Sequence, residues 1–177
     1  AAGYDVVVYD DLSAGHQEAV SRIAKAFPVR SVKLVRGDVL DLDAVSSALA
    51  AARPDAVMHF AAFLLPGESV RNPFKYYRNN VTGTLTLLEA MARAHVGRFV
   101  FSSTCATFGE PLREMIDETH PQHPVNAYGE TKLAVEHALP HVERAAGVKW
   151  TALRYFNAAG ADAGGLLGED HKAEEHL

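Results

Sequence analysis

Five short runs rich in β-branched residues alternate with Ala- and Leu-rich segments of helical spacing along this chain. The runs cover residues 5–10, 32–38, 55–61, 98–103 and 149–156. The helical segments cover residues 16–26, 41–52, about 73–94 and 126–146. Short runs that are almost continuously apolar are typical of parallel strands buried on both faces. The alternation therefore predicts an α/β fold, a doubly wound parallel sheet with helices on both faces.

Charge and composition argue against several classes of function. Lys and Arg total 17 against 22 Asp and Glu, and no basic cluster is present, so we expect no nucleic-acid partner. The single cysteine, Cys105, can form neither an internal disulfide nor, alone, a metal site, which fits a reducing cytoplasm. No apolar run is long enough to cross a bilayer, and the first residues lack the pattern of a signal peptide. We therefore predict a cytoplasmic protein that does not bind membranes or metals.

Polar and small residues end the first three predicted strands, where parallel sheets bind their ligands. Asp10 and Asp11 end the first strand, where a carboxylate can accept hydrogen bonds from an adenosine ribose and repel a 2′-phosphate. Alternatively, one of them caps the following helix. Asp38 can face an adenine amino group or form an ordinary turn. Ala61 and Ala62 end the third strand and allow either close approach of a dinucleotide or tight packing.

A tyrosine and a lysine four residues apart, Tyr128 and Lys132, begin the last predicted helix. Side chains at this spacing share one helix face, so the phenol and the ammonium can reach the same ligand. A nearby cation favours phenolate and lowers the tyrosine pKa, which predicts that Tyr128 acts as a general base. The alternative is a surface lysine beside a half-buried tyrosine. Hydroxyl side chains at residues 102–104, which end the preceding strand, favour the catalytic interpretation.

Eight segments together resemble the extended short-chain dehydrogenase/reductases, and most closely the UDP-glucose 4-epimerase family. They are, in order, YDDLSAGH, GDV, HFAAFLLPGESVRNP, NNVTGTLTLLEAM, FSSTCATFGE, NAYGETK, LRYFNAAGA and GEDH. The resemblance implies a Rossmann-like domain and an isomerase that uses NAD to interconvert UDP-glucose and UDP-galactose through a transient 4-keto sugar. It also implies a UDP-sugar substrate and a homodimer.

The resemblance assigns roles to individual positions. The implied catalytic residues are Tyr128 as the base, Lys132 and Thr104. The implied cofactor-binding residues are Asp10, Asp11, Leu12, Ser13, Ala14, Gly15, Asp38, Val39, Phe60, Ala61, Ala62, Leu64, Asn80, Thr104, Tyr128, Lys132 and Phe156. The implied substrate-binding residues are Thr104, Tyr128, Asn157, His176 and Leu177. Leu64 departs from the pattern, because some epimerases carry a lysine there, and a cofactor or phosphate contact from that side chain is absent.

Three other functions remain to be distinguished from epimerisation of UDP-glucose, and the first is 4-epimerisation of a related nucleotide sugar. A nucleotide-sugar 4,6-dehydratase would need an added acid and base, which that family places in an Asp-Glu pair after the threonine. Here Thr104 is followed by Cys105 and Ala106, whose thiol and methyl group cannot do this chemistry. A non-catalytic NAD-binding regulator or scaffold would be expected to lack Tyr128 or Lys132, and both are present.

The resemblance also predicts how the chain is divided. Residues 1–156 would form part of an NAD-binding Rossmann-like domain, and residues 157–177 would begin the substrate-binding region. The first strand of the usual domain and its glycine-rich phosphate loop are not found in the sequence. We therefore expect an excerpt of a longer polypeptide, in which the strands at 5–10 and 55–61 do not pair directly because the missing strand belongs between them.

Overall fold

Strands and helices alternate along the chain in the predicted order. The computed structural model describes residues 3–28, 31–158, 160 and 162–168. These residues fall into two units, one within Ala1–Gly37 and Asn157–Leu177, the other Asp38–Phe156. Every paired strand that the structure describes is parallel to its neighbour, and helices connect successive strands, so the predicted α/β class is confirmed.

The first unit contains one β-α-β connection. Strand β1 (Val6–Asp10) pairs with β2 (Val32–Arg36), and helix α1 (Gln17–Ala26) connects them. The chain after β2 turns close to the ring of Tyr9. A Cβ on Gly37 would lie 2.2 Å from the Tyr9 hydroxyl, and the Gly37 amide donates to the Asp10 carbonyl at 3.0 Å. A side chain at position 37 would collide with that ring unless the ring moved.

The second unit contains a three-stranded sheet in the order β3-β4-β5. Its strands are β3 (Val57–His59), β4 (Arg98–Thr104) and β5 (Lys149–Tyr155). Strand β4 is central, and its Phe99 and Phe101 side chains are each 1% exposed. The register aligns His59 with Phe101 and Thr104 with Tyr155. The three strands thus end at a common edge, and Thr104 lies at the end of the central strand.

Helices of the second unit pack around this sheet. They are α2 (Leu42–Ala52), α3 (Pro66–Arg71), α4 (Pro73–Tyr76), a π-helical segment (Tyr77–Gly83), α5 (Thr84–Arg93), a 3₁₀ turn (Cys105–Thr107) and α6 (Ala127–Ala146). Asp41 caps α2 by accepting from the Ala44 amide at 3.0 Å. Gly147 ends α6 in the left-handed conformation, at φ 72°. Both ends follow ordinary capping chemistry.

The predicted elements are confirmed with two corrections. The segment at 73–94 is one predicted helix, but the structure contains a π-helical section within it. Residues 66–71 form a helix that the sequence did not predict, beginning at Pro66, which suits a first helical turn. As expected, β1 pairs with β2 and β3 pairs with β4, in two separate sheets. Within the described ranges, no helix has both the length and the apolar character needed to span a bilayer.

Candidate active site

The carboxyl end of β4 brings together the three predicted catalytic side chains. The Thr104 hydroxyl interacts with the Tyr128 phenol and lowers its pKa, opposing the larger effect of burial. Thr104 is 7% exposed and its Oγ1 also accepts from the Ala106 amide at 3.1 Å, which fixes the side chain at the strand end. Tyr128 is half-buried in the first turn of α6. Strand β4 and helix α6 therefore place a hydroxyl pair at one point.

Lys132 lies one turn further along α6 and is almost completely buried. Its Nζ donates to the Ser102 carbonyl at 2.8 Å and lies 5.9 Å from the centre of the Tyr128 ring. Burial lowers the pKa of Lys132 to about 8. An ammonium with a lowered pKa exchanges a proton near neutral pH more readily than an exposed lysine does.

The predicted direction of the Tyr128 pKa shift is wrong for this structure. Burial raises the pKa of the Tyr128 phenol, and the nearby Cys105 raises it further, whereas the hydrogen bond with Thr104 lowers it. The ammonium of Lys132 is directed to the Ser102 carbonyl and does not compensate for desolvation. Deprotonation of Tyr128 near neutral pH therefore needs additional positive charge near the phenol, or additional hydrogen bonds to its oxygen.

A glycine beside the tyrosine allows α6 to approach the chain after Thr104. A Cβ on Gly129 would lie 2.6 Å from the Ala106 carbonyl oxygen and 3.0 Å from the Pro124 Cβ. Neither contact involves the flexible end of a side chain, so the backbone would have to move. Gly129 was not among the predicted site residues, although a glycine in the first turn of a predicted helix is a signal of close packing.

We expect Gly129→Ala to lower the free energy of unfolding. Alanine at an exposed helix position stabilises by up to about 1 kcal/mol relative to glycine, but overpacking costs about 1–3 kcal/mol, so the collision should dominate. Urea unfolding measures the difference. Gly97→Ala is the control because a Cβ there meets nothing within 4 Å. A Gly129→Ala protein as stable as its parent would contradict the close contact.

The segment after β3 is fastened to the helices that follow it. Asn80, 2% exposed, accepts from the Phe63 amide at 2.9 Å and donates to the Phe63 carbonyl at 3.0 Å. Four residues earlier, the Tyr76 hydroxyl accepts from the Leu65 amide at 3.1 Å. Asn80, predicted to lie near a cofactor, thus acts in this structure by holding the backbone of the neighbouring segment.

Helix α6 also carries one member of a buried ion pair, one turn beyond Lys132. Glu136 is 7% exposed and accepts from Arg154 through both carboxylate oxygens, with the Arg154 Nη2 at 2.6 Å from Oε2. It also accepts from the Ser103 hydroxyl and from Gln122. Sequence reasoning missed this group, although its spacing of four residues from Lys132 places it on the same helix face.

Successive residues at the end of β4 are therefore each bound to α6. Ser102 accepts from Lys132 through its carbonyl and Ser103 donates to Glu136, while the Thr104 hydroxyl interacts with the Tyr128 phenol. Three contacts from three turns of one helix fix both its rotation and its position along the strand. The Thr104–Tyr128 pair is consequently part of a rigid framework.

In the first unit, the two aspartates that end β1 form turns. Asp10 accepts from the Leu12 amide at 2.7 Å and Asp11 from the Ser13 amide at 2.8 Å. The residue at the N-terminal cap of α1 is His16, whose side chain does not cap the helix, so the alternative that an aspartate caps this helix is wrong. A carboxylate accepts several hydrogen bonds, and these turns leave the proposed ribose interaction open.

The remaining predicted cofactor and substrate residues lie in varied surroundings. Phe60 and Phe156, which follow β3 and β5, are 56% and 61% exposed. Val39 is buried, with Cγ2 2.7 Å from the position of a Cβ on Gly83, and its side chain is a core contact. Exposed or half-buried positions are Ala14, Gly15, Asp38, Ala61, Ala62, Leu64 and Asn157. His176 and Leu177 lie outside the described residues.

The chemistry of these groups fits NAD. Two exposed phenylalanines follow β3 and β5, the strands on either side of β4, whose end carries Thr104. Carboxylates at the end of β1 suit ribose hydroxyls, and the small residues Ala61 and Ala62 permit close approach of a flat ring system. Lys132 supplies a buried cation. Each unit thus carries groups suited to part of a dinucleotide.

Parallel strands with helical connections and a Thr-Tyr-Lys site at a strand end define a Rossmann-like protein of the short-chain dehydrogenase/reductase class. The chain belongs to the NAD dependent epimerase/dehydratase family, whose sequence profile matches residues 1–175.

Similar proteins support this membership. The UDP-glucose 4-epimerase of Lactobacillus helveticus is 49% identical over 175 residues, which are 99% of this chain and 51% of that protein. The crystal structure of UDP-glucose 4-epimerase from Brucella ovis in complex with NAD is 48% identical with a TM-score of 0.90, covering 99% of this chain and 51% of that one. The enzyme from Bifidobacterium longum in complex with NAD+ and UDP is 38% identical with a TM-score of 0.91, covering 97% and 51%. The chain spans about half the length of the curated relatives it matches.

Proposed function

We propose that a full-length protein containing this sequence is a NAD-dependent UDP-sugar 4-epimerase that interconverts UDP-glucose and UDP-galactose. The observation that carries the proposal is the pairing of Thr104 with Tyr128 near the end of β4, with Lys132 one turn away. Relatives that are 49% and 46% identical to the chain over the aligned residues bear the name UDP-glucose 4-epimerase.

Tyr128 would act as the proton acceptor and donor. The phenol oxygen, as phenolate, takes the proton of the sugar 4-hydroxyl while the C4–H bond breaks, and the product is a 4-keto sugar. When bound, NAD supplies the acceptor that takes the hydride from C4 and returns it. The keto sugar then turns its other face to the site, and Tyr128 returns the proton. The sequence of steps causes no net oxidation.

Thr104 and Lys132 would assist this proton transfer. The Thr104 hydroxyl interacts with the Tyr128 phenol, so a 4-hydroxyl bound beside the phenol can also be oriented by Thr104. A hydrogen bond made only in the transition state contributes about 1–3 kcal/mol. Lys132 would bind the nicotinamide ribose and add positive charge near the phenol, opposing the effect of burial on the pKa of Tyr128.

We also propose roles for the remaining cofactor-binding and substrate-binding residues. The turn of residues 10–15 would hold the adenosine ribose, and Asp38 and Val39 would frame the adenine. Because the side chain of Val39 is buried, its contribution would come from the backbone. Phe60, Ala61, Ala62, Leu64, Asn80 and Phe156 would line the cofactor, and Asn157, His176 and Leu177 would contact the sugar nucleotide. The homodimer, the cytoplasmic location and the domain division at residue 156 stay predictions.

A direct assay separates the proposed function from its alternatives. Full-length protein is incubated with UDP-glucose, and the products are resolved by chromatography. Formation of UDP-galactose supports the epimerase. A dehydrated 4-keto-6-deoxy product would show the dehydratase instead, for which Cys105 and Ala106 supply no acid-base pair. NAD binding without conversion of the sugar would favour the regulator or scaffold.

The aspartates at the end of β1 predict a preference for NAD over NADP. In NADP a phosphate replaces the ribose 2′-hydroxyl, so the hydrogen bond from that hydroxyl to Asp10 or Asp11 would be lost, and the two carboxylates would repel the phosphate. We therefore expect NADP to bind at least about tenfold more weakly than NAD. Calorimetry on the full-length protein measures both affinities. Asp10→Asn should narrow the ratio, whereas Asp43→Asn, an exposed change on α2, should leave it unchanged. Equal affinities in the parent protein would show that the strand end is misassigned.

A further inference from the structure

Ser69 joins helix α3 to the first turn of helix α6. Its side chain is fully buried, at 0% exposure. The hydroxyl oxygen accepts from the backbone amide of Tyr128 at 3.0 Å, across 59 residues of sequence. The hydroxyl proton is donated to the Pro66 carbonyl at 2.7 Å. Because the proton is committed to Pro66, the oxygen presents its lone pairs to Tyr128 with the polarity that an amide needs.

This contact completes the cap of α6. The first amides of a helix have no partner within the helix, and buried amides must be satisfied by other groups. Asn126, the residue before the helix, accepts from the Gly129 amide at 2.9 Å. The amide of Tyr128 needs an acceptor from outside helix α6, and the hydroxyl oxygen of Ser69 is that acceptor. The cap of α6 is thus shared between a local side chain and one from a distant helix.

Tyr128 is consequently held at two points. Its amide is bound by Ser69 of α3, and its phenol interacts with Thr104 at the end of β4. The close contact of Gly129 with the Ala106 carbonyl limits movement of the same turn on a third side. A shift of the helix start would move the phenol relative to Thr104.

Ser69 is itself firmly supported. The preceding residue, Glu68, accepts from Lys75 at 2.6 Å and from the Tyr76 hydroxyl at 2.9 Å. The Leu65 carbonyl lies 2.8 Å from the same Tyr76 hydroxyl and shares its single proton with Glu68. The segment with the predicted cofactor-lining residues Phe60 to Leu64 therefore continues into α3, and α3 in turn contacts Tyr128 through Ser69.

From these contacts we propose that Ser69 is a positioning residue that sets the place of the Tyr128 phenol beside Thr104. The proposal rests on the function proposed above for Tyr128 and adds a residue that contacts neither the sugar nor the cofactor. Ser69 acts on the proton-transfer step through the backbone of Tyr128. Its loss should therefore affect turnover more than substrate affinity.

The test compares Ser69→Ala with its parent in a full-length chain. We expect kcat to fall about tenfold or more, with KM changed less than twofold, because misplacement of a reacting group slows chemistry without removing binding contacts. Ser69→Cys keeps the volume and a weak acceptor, so its kcat should lie between the two. The matched control is Ser46→Ala, which removes a serine hydroxyl whose buried oxygen has no hydrogen-bond partner in the structure. That change should leave kcat unaltered.

A second readout does not depend on turnover. The titration of Tyr128 is followed by ultraviolet absorbance, with Tyr128→Phe as the reference that identifies its signal. Displacement from Thr104 removes a hydrogen bond that lowers the pKa of Tyr128, so Ser69→Ala should move its titration to higher pH. If the full-length protein does not interconvert UDP-sugars, the proposed reaction fails, but this shift still supports the role of Ser69.

Two results would overturn the proposal. The first is a Ser69→Ala protein with unchanged kcat and unchanged Tyr128 titration. The second is a loss of thermal stability in Ser69→Ala or Ser69→Cys with both of those readings normal in the folded fraction, which would make Ser69 a structural residue only. If Ser69→Ala does not fold, Ser69→Cys carries both measurements, and normal values there overturn the proposal equally.

Discussion

Replacing Tyr128 with phenylalanine should lower the turnover of UDP-glucose by at least about 100-fold in the full-length protein, because it removes the only base proposed at the reacting hydroxyl. The ring and its packing are kept, so folding and UDP-sugar binding should persist. Loss of the phenol also removes the hydrogen bond to Thr104, whose own position is maintained by the Ala106 amide. The measurement is kcat by product chromatography, with binding by calorimetry.

A control and a contradicting result complete this test. Tyr4→Phe removes a phenol that is 77% exposed in the first unit and should not alter kcat. A Tyr128→Phe protein with turnover within a few-fold of its parent would show that another group accepts the proton. Lys132, with a pKa lowered to about 8 by burial, would then be the first alternative to examine.

Replacing Glu136 with alanine should cause the largest loss of stability among the changes considered. Removing one partner of a buried ion pair costs about 3–5 kcal/mol, and since Arg154 keeps 23% of its side chain exposed, we expect about 2–4 kcal/mol. Urea unfolding of the full-length protein measures this loss. Against a typical total stability of about 5–15 kcal/mol, it is a large fraction.

The same helix provides a matched control. Glu143 pairs with Lys149 at 2.6 Å, but the Lys149 side chain is 75% exposed. Exposed pairs contribute about 0–1 kcal/mol, so Glu143→Ala should have a small effect. Equal losses for the two substitutions would contradict the claim that burial of Glu136 determines its importance.

The contribution of Glu136 should also depend on pH. Burial alone raises the pKa of its carboxyl, but hydrogen bonds from Arg154, Ser103 and Gln122 outweigh burial, and the net shift is downward. A group whose pKa is lower in the folded state stabilises the protein above its unfolded pKa, about 4.3, and loses this effect as pH falls through the folded value. The stability difference between the parent and Glu136→Ala should therefore shrink in acid.

The sequence predicted those parts of the molecule that depend on local pattern. The apolar runs and the Tyr128–Lys132 spacing are local, and the structure contains the corresponding strands and helix face. Thr104 was placed correctly at the end of β4 because parallel strands end at a common edge. Resemblance to a known family then supplied roles that spacing alone leaves open.

Other features could not be predicted because they depend on distant contacts or on burial. The bond from Tyr128 to Ser69 joins residues on different helices, and no periodicity indicates it. The pKa of Tyr128 shifts upward because desolvation exceeds the opposing effect of Thr104, and desolvation is not visible in a sequence. Asn80 was predicted to lie near a cofactor, but no sequence pattern indicates the two hydrogen bonds from its side chain to the backbone of Phe63.

The most direct test of the proposed reaction follows the hydrogen at C4 of the sugar. UDP-glucose labelled with deuterium at C4 is incubated with the full-length protein in ordinary water, and the UDP-galactose formed is examined by mass spectrometry and NMR. If C4 is oxidised by hydride removal and reduced by return of the same hydride, the product should retain deuterium at C4 with inverted configuration. Loss of deuterium to water during formation of UDP-galactose, or no formation of UDP-galactose, would contradict the account.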